Sequence, residues 1–354
     1  MTPPVFVSNR IFEQTGYTRN HPLSIGRVGP VVRICRLLGW LDDANYRESE
    51  PVAREVLAQF HDAGYLDALI RVSEAGAASA GDREKFRLGT MENPVFPQLF
   101  QRVAASVGGS VLAARLVADG GVAFHPAGGT HHGRPGRASG FCYSNDPVFT
   151  IRELLRQGHN RIAYVDLDAH HGDGVEDACA GDDRTLCISI HESGRWPGSG
   201  MCSGDRAINI PVARGFDDRG FIRVMHLQVL PALAAFAPEA VVLTCGADCL
   251  AGDPLSAMQL SNAALWAAIL DIVGMTPRAV VLGGGGYNPW TTVRYWTGLW
   301  GRLNGWAAPA ELPAEAQTVL RGLTCDLVDD EDVDPAWYVS LADAPVPKEM
   351  EMES

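Results

Sequence analysis

No Cys-x-x-Cys pair occurs in this 354-residue chain, although it holds eight cysteines. That absence removes the usual sign of a paired-cysteine metal or redox centre. The cysteines are scattered, several within apolar runs, and read as reduced, mostly buried thiols of a cytosolic, cytoplasmic protein. No stretch approaches the roughly 18 uninterrupted apolar residues of a membrane span. The opening "MTPPVFVSNRIFEQTG" lacks the basic-then-apolar pattern of a signal peptide. Positive charge is also short: Lys and Arg number 29 against 42 Asp and Glu, a formal net charge of −13. That balance argues against direct binding to nucleic acid or an anionic membrane and leaves room for a cationic substrate. There is no internal repeat and no linker that would divide the chain.

What is present is apolar matter, 46% of residues, with 20% charged, enough for a large core in a single unit. Seven runs read as strands: "PPVFVSN", "GVAFH", "RIAYVDLD", "TLCISIH", "AINIPV", "AVVLTCGAD" and "AVVLGGGGY". Several are continuous rather than alternating, which suits a parallel sheet covered on both faces. Amphipathic stretches lie between them, among them "GPVVRICRLLGWL", "PVAREVLAQFHDAGYLDALIRVSE" and "FIRVMHLQVLPALAAFA". Strand, helix, strand in that order predicts an α/β sheet with crossover helices. One domain is expected over 1–340, with an acidic, loose tail over 341–354.

The polar clusters fall where such sheets bind ligands, beyond the carboxyl ends of strands. In "VDLDAHHGDGVEDA", Asp166, Asp168 and His170 share a face if the chain stays extended. A carboxylate and an imidazole two residues apart can chelate one divalent ion. Asp248, ending the run "LTCGAD", is the best third donor. Two carboxylates and one imidazole leave a coordination position open for water, a catalytic zinc arrangement. The plainer alternative is a salt-bridged or helix-capping cluster; several such clusters at strand ends favour the metal.

In "GGTHHGRPGRASGFCYSND", His131 and His132 sit on a glycine-flanked loop where a ligand can approach. Imidazole is suited to moving a proton near neutral pH. Each would need a carboxylate behind it, and Asp166 and Asp173 are free for that work. One histidine of the pair could equally be structural, or both could be metal ligands. "VVLGGGGYNPW" lacks the context of a phosphate loop. There Tyr287 follows four glycines and is placed to donate a hydrogen bond to an oxyanion, unless it packs as a core residue. His21, His61, His125, His159, His191 and His226 read as structural or surface residues.

Together, "YVDLDAHHGDGVEDA", "GGTHHGRPGRASGFCYSND", "LTCGADCLAGDPL" and "VLGGGGYNPWTTVRYWT" closely resemble the class I histone deacetylase family, including its bacterial acetoin-utilisation branch. "NHPLSIGRV" and "TMENPVFPQLF" resemble further segments of it, and the similarity runs from about residue 15 to residue 300. The resemblance implies a three-layer, arginase-like α/β fold with an eight-stranded, mostly parallel sheet and helices on both faces. It implies one catalytic zinc per chain on Asp168, His170 and Asp248, with ferrous iron also compatible. It places His132, backed by Asp173, as general base and acid, with His131, backed by Asp166, as its electrostatic partner. Tyr287 would polarise the scissile carbonyl. Gly140, Phe141, Trp196, Glu92 and Leu255 would line the acyl-lysine channel. A structural potassium would sit near Asp166, Asp168, His170, Ser189 and Ile190, and Arg27 would lie at the bottom of an internal cavity where acetate leaves.

The expected activity is hydrolysis of the amide of an acyl-lysine side chain or a small acylated amine. A homo-oligomer is compatible with the sequence. Two departures bear on substrate. The segment after His191, "ESGRWPGSGMCSGDRAINIP", is shorter than the family's rim loop, and Glu92 stands where the family has a rim aspartate. A ureohydrolase-like enzyme with two manganese ions is the nearest rival, but "CLAGD" after Asp248 lacks the second aspartate in DxD spacing. A non-catalytic binding or regulatory homologue is the third reading.

Overall fold

The structure, a computed structural model, describes residues 2–343. It contains eight strands: β1 (Val5–Ser8), β2 (Tyr46–Glu48), β3 (Gly121–His125), β4 (Ile162–Asp166), β5 (Thr185–Glu192), β6 (Ala207–Val212), β7 (Ala240–Thr244) and β8 (Arg278–Leu282). They form one sheet in the order β2-β1-β3-β8-β7-β4-β5-β6, and every pairing is parallel.

Burial on both faces explains the unbroken apolar runs. Ala163, Val165, Val241, Leu243 and Val281 face one layer, which holds the Val28–Leu37, Asn262–Gly274 and Pro289–Leu303 helices. Ile162, Tyr164, Val242 and Val280 face the other, built on the Leu99–Leu116 and Asp146–Arg156 helices. The result is three layers. No helix among the described residues is long and apolar enough to cross a membrane.

Four differences from the sequence reading have local causes. β2 is a three-residue edge strand with Arg47 and Glu48 exposed, so no apolar run marks it. The 51–74 stretch is two helices, Arg54–Leu57 and Ala63–Ala75, because His61 and Asp62 between them turn aside to bond the Arg134 and Pro135 carbonyls. The 221–237 stretch keeps its helical course, but through a π-turn, Met225–Val229, just ahead of Pro231, which has no N–H to donate. The Pro289–Leu303 helix, which the sequence reading did not single out, is buried along nearly its whole length, its polar Thr292 and Arg294 included; Asn288 caps it, accepting from the Trp290 and Thr291 N–H groups.

The packed chain also runs past residue 340. Leu341 is fully buried, and Asp343 pairs with Arg294 and accepts from the Asn262 N–H. The rest of the expected tail lies outside the described residues.

The sheet order brings the site together. β3, β8, β7 and β4 are neighbours at its centre, and each of the polar clusters leaves the carboxyl end of one of them.

Candidate active site

β4 ends at Asp166, and there the extended geometry ends too. Asp166 therefore does not join Asp168 and His170 on one face. Its Oδ2 lies 2.7 Å from His131 Nδ1 and accepts from the Tyr164 hydroxyl at 2.6 Å. Asp168, His170 and Asp248 do converge: their ligand atoms lie within 4.8 Å of one another, and all three residues are buried. Backbone N–H groups aim the carboxylates. Ala169 donates to Asp248 Oδ1 at 2.9 Å, and Gly285 donates to Asp168 Oδ2 at 2.7 Å. His170 Nδ1 lies 2.8 Å from Asp248 Oδ2.

Burial and the Asp168 carboxylate push the Asp248 carboxyl above the ordinary carboxylate range. Two buried carboxylates this close call for a cation between them. Oxygen and imidazole donors in this number suit a divalent zinc ion with an open position. Glycine opens the space: a Cβ at Gly285 would collide with the Asp248 carboxylate. Among the described residues this is the one such group of donors. A two-ion, ureohydrolase-like centre therefore finds no second ligand set there.

The two loop histidines stand beside this cluster and outside it. His131 Nδ1 meets Asp166 and His132 Nδ1 meets Asp173, each at 2.7 Å, and the two rings are 3.9 Å apart. Asn145 Nδ2 donates to the carbonyls of His131 and Gly133 at 3.0 Å, fixing the loop. Burial and the neighbouring His131 drive His132 down to about 3, against the pull of Asp173. Burial would lower His131 as well, but Asp166 and Asp168 raise it to about 9. At neutral pH the pair thus holds one charged and one neutral imidazole. Burial would raise Asp173, yet His132 and Arg134 hold it near 2, so it remains an anion behind His132.

Tyr287 closes the third side. Its ring lies 5.8 Å from Phe141 and 6.4 Å from His170. Burial, then Asp248 and Asp168, push the phenol well above its ordinary value, so it stays a proton donor. Gly284 and Gly286, at φ +147° and +136°, take conformations closed to other residues. Arg27 donates to the Gly284 carbonyl at 2.8 Å.

An open basin of about 740 Å³ leads to these groups, walled by Gly140, Phe141, Trp196, Leu255 and Glu92. Trp196 is 45% exposed, and its ring meets His132 edge-on at 4.6 Å. Glu92 does not stand free at the rim: its Oε1 accepts from the Gly140 N–H at 2.7 Å. Arg27 lies on a second cavity of about 160 Å³ that also borders His131, His132 and Tyr287. Ser189 and Ile190 are buried in β5; Ser189 pairs in register with Asp166, and its Oγ lies 2.9 Å from His191 Nδ1.

Sequence reasoning passed over Arg134, Tyr164 and Asp253. Arg134 pairs with Asp173, and its place two residues after His132 was the available signal. Tyr164 read as one more core residue. Asp253, in "AGDP", carried no metal-binding or proton-transfer signal, yet its carboxylate accepts from the Leu255, Tyr287 and Asn288 N–H groups.

His61 props the histidine loop, its Nδ1 lying 3.0 Å from the Arg134 carbonyl. Burial lowers it from 6.5 to about 4. The unfolded chain takes up this proton first as pH falls. The stability contributed by neutral His61 is therefore complete above pH 6.5 and is lost between 6.5 and 4. Its share of that loss down to pH 5 is about 2 kcal/mol. Urea midpoints at pH 7 and pH 5 should converge in His61→Gln relative to the parent; an equal gap in both proteins would remove His61 as a source.

Comparison with known proteins agrees with this geometry. The sequence model described as the histone deacetylase domain matches residues 21–303. The chain is 36% identical over 270 residues to histone deacetylase 8 of Danio rerio, covering 73% of this chain and 71% of that protein. It is 33% identical over 308 residues to histone deacetylase RPD3 of Saccharomyces cerevisiae, covering 84% and 71%. The crystal structure of an HDAC homologue from Aquifex aeolicus superposes with a TM-score of 0.91 at 33% identity, over 99% of this chain and 98% of that one. An HDAC homologue complexed with SAHA gives 0.90 at 32% identity, with the same coverage.

Proposed function

This chain belongs to the histone deacetylase family, and from that premise we propose that it is a zinc-dependent deacetylase. It hydrolyses the amide of an acyl-lysine side chain or a small acylated amine and releases acetate or another short acid. One observation carries the reading: a donor set of two carboxylates and one imidazole shares a buried recess with a protonated phenol and two carboxylate-backed histidines.

Asp168, His170 and Asp248 would hold the zinc, which when bound supplies Lewis acidity and brings the pKa of water toward neutrality. Ferrous iron accepts the same donors. Phe141 and Trp196 flank the acyl chain as apolar walls. The Tyr287 hydroxyl donates to the carbonyl oxygen, and that bond strengthens as the carbon turns tetrahedral and charge gathers on the oxygen. Neutral His132 takes a proton from the attacking water while Asp173 orients its ring. It then delivers that proton to the departing amine, which would otherwise leave as a strong base. Charged His131 keeps His132 a weak base, so the proton is given up readily. Arg27, in the cavity beyond, supplies positive charge for a departing carboxylate.

A structural potassium near Asp166, Asp168, His170, Ser189 and Ile190 belongs to the same reading. The Glu92 bond to Gly140 and the short loop after His191 favour small acylated amines over long peptides. Eight unpaired cysteines support work in the reducing cytoplasm.

Zinc-replete protein should cleave a fluorogenic acetyl-lysine reporter or some member of a panel of short acylated amines. No hydrolysis across the whole panel would overturn the reading in favour of a binding protein on this fold. Asp168→Ala should lose both its zinc, measured by elemental analysis, and its activity; a full equivalent of retained zinc would contradict the ligand assignment.

A further inference from the structure

Tyr287 has to present its hydroxyl at one point, yet it follows four consecutive glycines, the least restrained type of backbone. The glycines are tethered one by one. Arg27 holds the Gly284 carbonyl, Asp168 takes the Gly285 N–H, and the Ala247 N–H donates to the Gly285 carbonyl at 2.8 Å. The peptide of Tyr287 itself is held by Asp253, a buried carboxylate to which neither the metal reading nor the proton relay gives a role. Its Oδ2 accepts from the Tyr287 N–H at 2.7 Å and the Asn288 N–H at 3.2 Å. Its Oδ1 accepts from the N–H of Leu255, in the wall of the basin, at 2.9 Å.

Asp253 lies five residues after Asp248 on the same loop. One side chain therefore joins the loop of a proposed metal ligand, the basin wall and the tyrosine. Asn288 repeats the link in the opposite direction: its Nδ2 donates to the Gly252 carbonyl at 2.9 Å while its Oδ1 caps the following helix. Tyr287 is thus located relative to Asp248 through these bonds.

We propose that Asp253 is a positioning residue that sets the Tyr287 hydroxyl at the reacting carbonyl. The assignment rests on the deacetylase reading and adds to it a residue that never touches substrate. Positioning matters on this scale because a displacement of about 1 Å can cost roughly a hundredfold in rate.

Asp253→Asn keeps the size, but either orientation of the amide turns its NH2 group toward backbone N–H donors. The variant should fold, keep one zinc per chain, lose roughly ten- to a hundredfold in kcat, and hold KM within about twofold. In a Tyr287→Phe background the same substitution should cost less than about twofold, because the group being positioned is gone. Equal losses in both backgrounds, or an unchanged kcat, would overturn the proposal. Hydrogen exchange gives a readout independent of turnover. Protection of the Tyr287 and Leu255 amides should fall in Asp253→Asn while β4, β7 and β8 stay protected, and unchanged protection at Tyr287 would also overturn it. Inactive parent protein would count against the deacetylase reading alone, since exchange still decides whether Asp253 holds Tyr287.

Discussion

Tyr287→Phe lowers kcat by roughly a hundred- to a thousandfold, the scale for losing one oxyanion donor, and leaves zinc content unchanged. The substitution removes one oxygen and little else. The ring keeps its contact with Phe141, and the donors around the proposed metal site are Asp168, His170 and Asp248. The lost hydrogen bond is to an oxygen that is weakly charged in the bound amide and strongly charged once the carbon is tetrahedral. The loss therefore falls on kcat far more than on KM. Burial beside two carboxylates keeps the phenol protonated, so no phenolate contribution complicates the comparison. The measurement is steady-state hydrolysis of an acetyl-lysine reporter at equal zinc occupancy. Undiminished kcat would take Tyr287 out of the mechanism and return it to the core.

The residues legible in the sequence share one property: each lies just beyond an apolar strand and has chemistry that the core does not require. That holds for Asp168, His170, Asp248, His131, His132 and Tyr287. The apolar runs themselves revealed seven of the eight strands, and their lack of alternation revealed the covered sheet. Contacts made at long range were not legible. Nothing near Glu92 announces that its carboxylate meets the N–H of Gly140, 48 residues on. Asp166 was expected to face with Asp168 because an extended chain was assumed, whereas the strand stops there and the carboxylate turns to His131 and Tyr164. Asp253 has the composition of a turn, and only the fold shows three N–H groups converging on it. The order of the central strands, which brings the clusters together, follows from packing and has no local signature.

His132→Ala should bring the other large loss, on the order of a hundred- to ten-thousandfold in kcat, the range for a general acid–base group. Two histidines compete for this role, and their surroundings separate them. His131 faces Asp166 and Asp168 and is held charged, so it has no lone pair free to accept a proton at neutral pH. His132 is buried, lies beside that charge and is kept neutral. A base must be unprotonated, so activity falls as pH drops through its pKa. Since His132 sits below the ordinary 6.5, the acid limb of kcat/KM should lie well under that value. Removing the neighbouring charge with His131→Asn should move the limb toward neutrality, because the like charge that depresses His132 is gone. The same variant should cost less in kcat than His132→Ala, since the proton carrier remains in place. Should His131→Asn prove the more damaging of the two, or should its acid limb stay where the parent's lies, the roles of the two imidazoles would have to be exchanged.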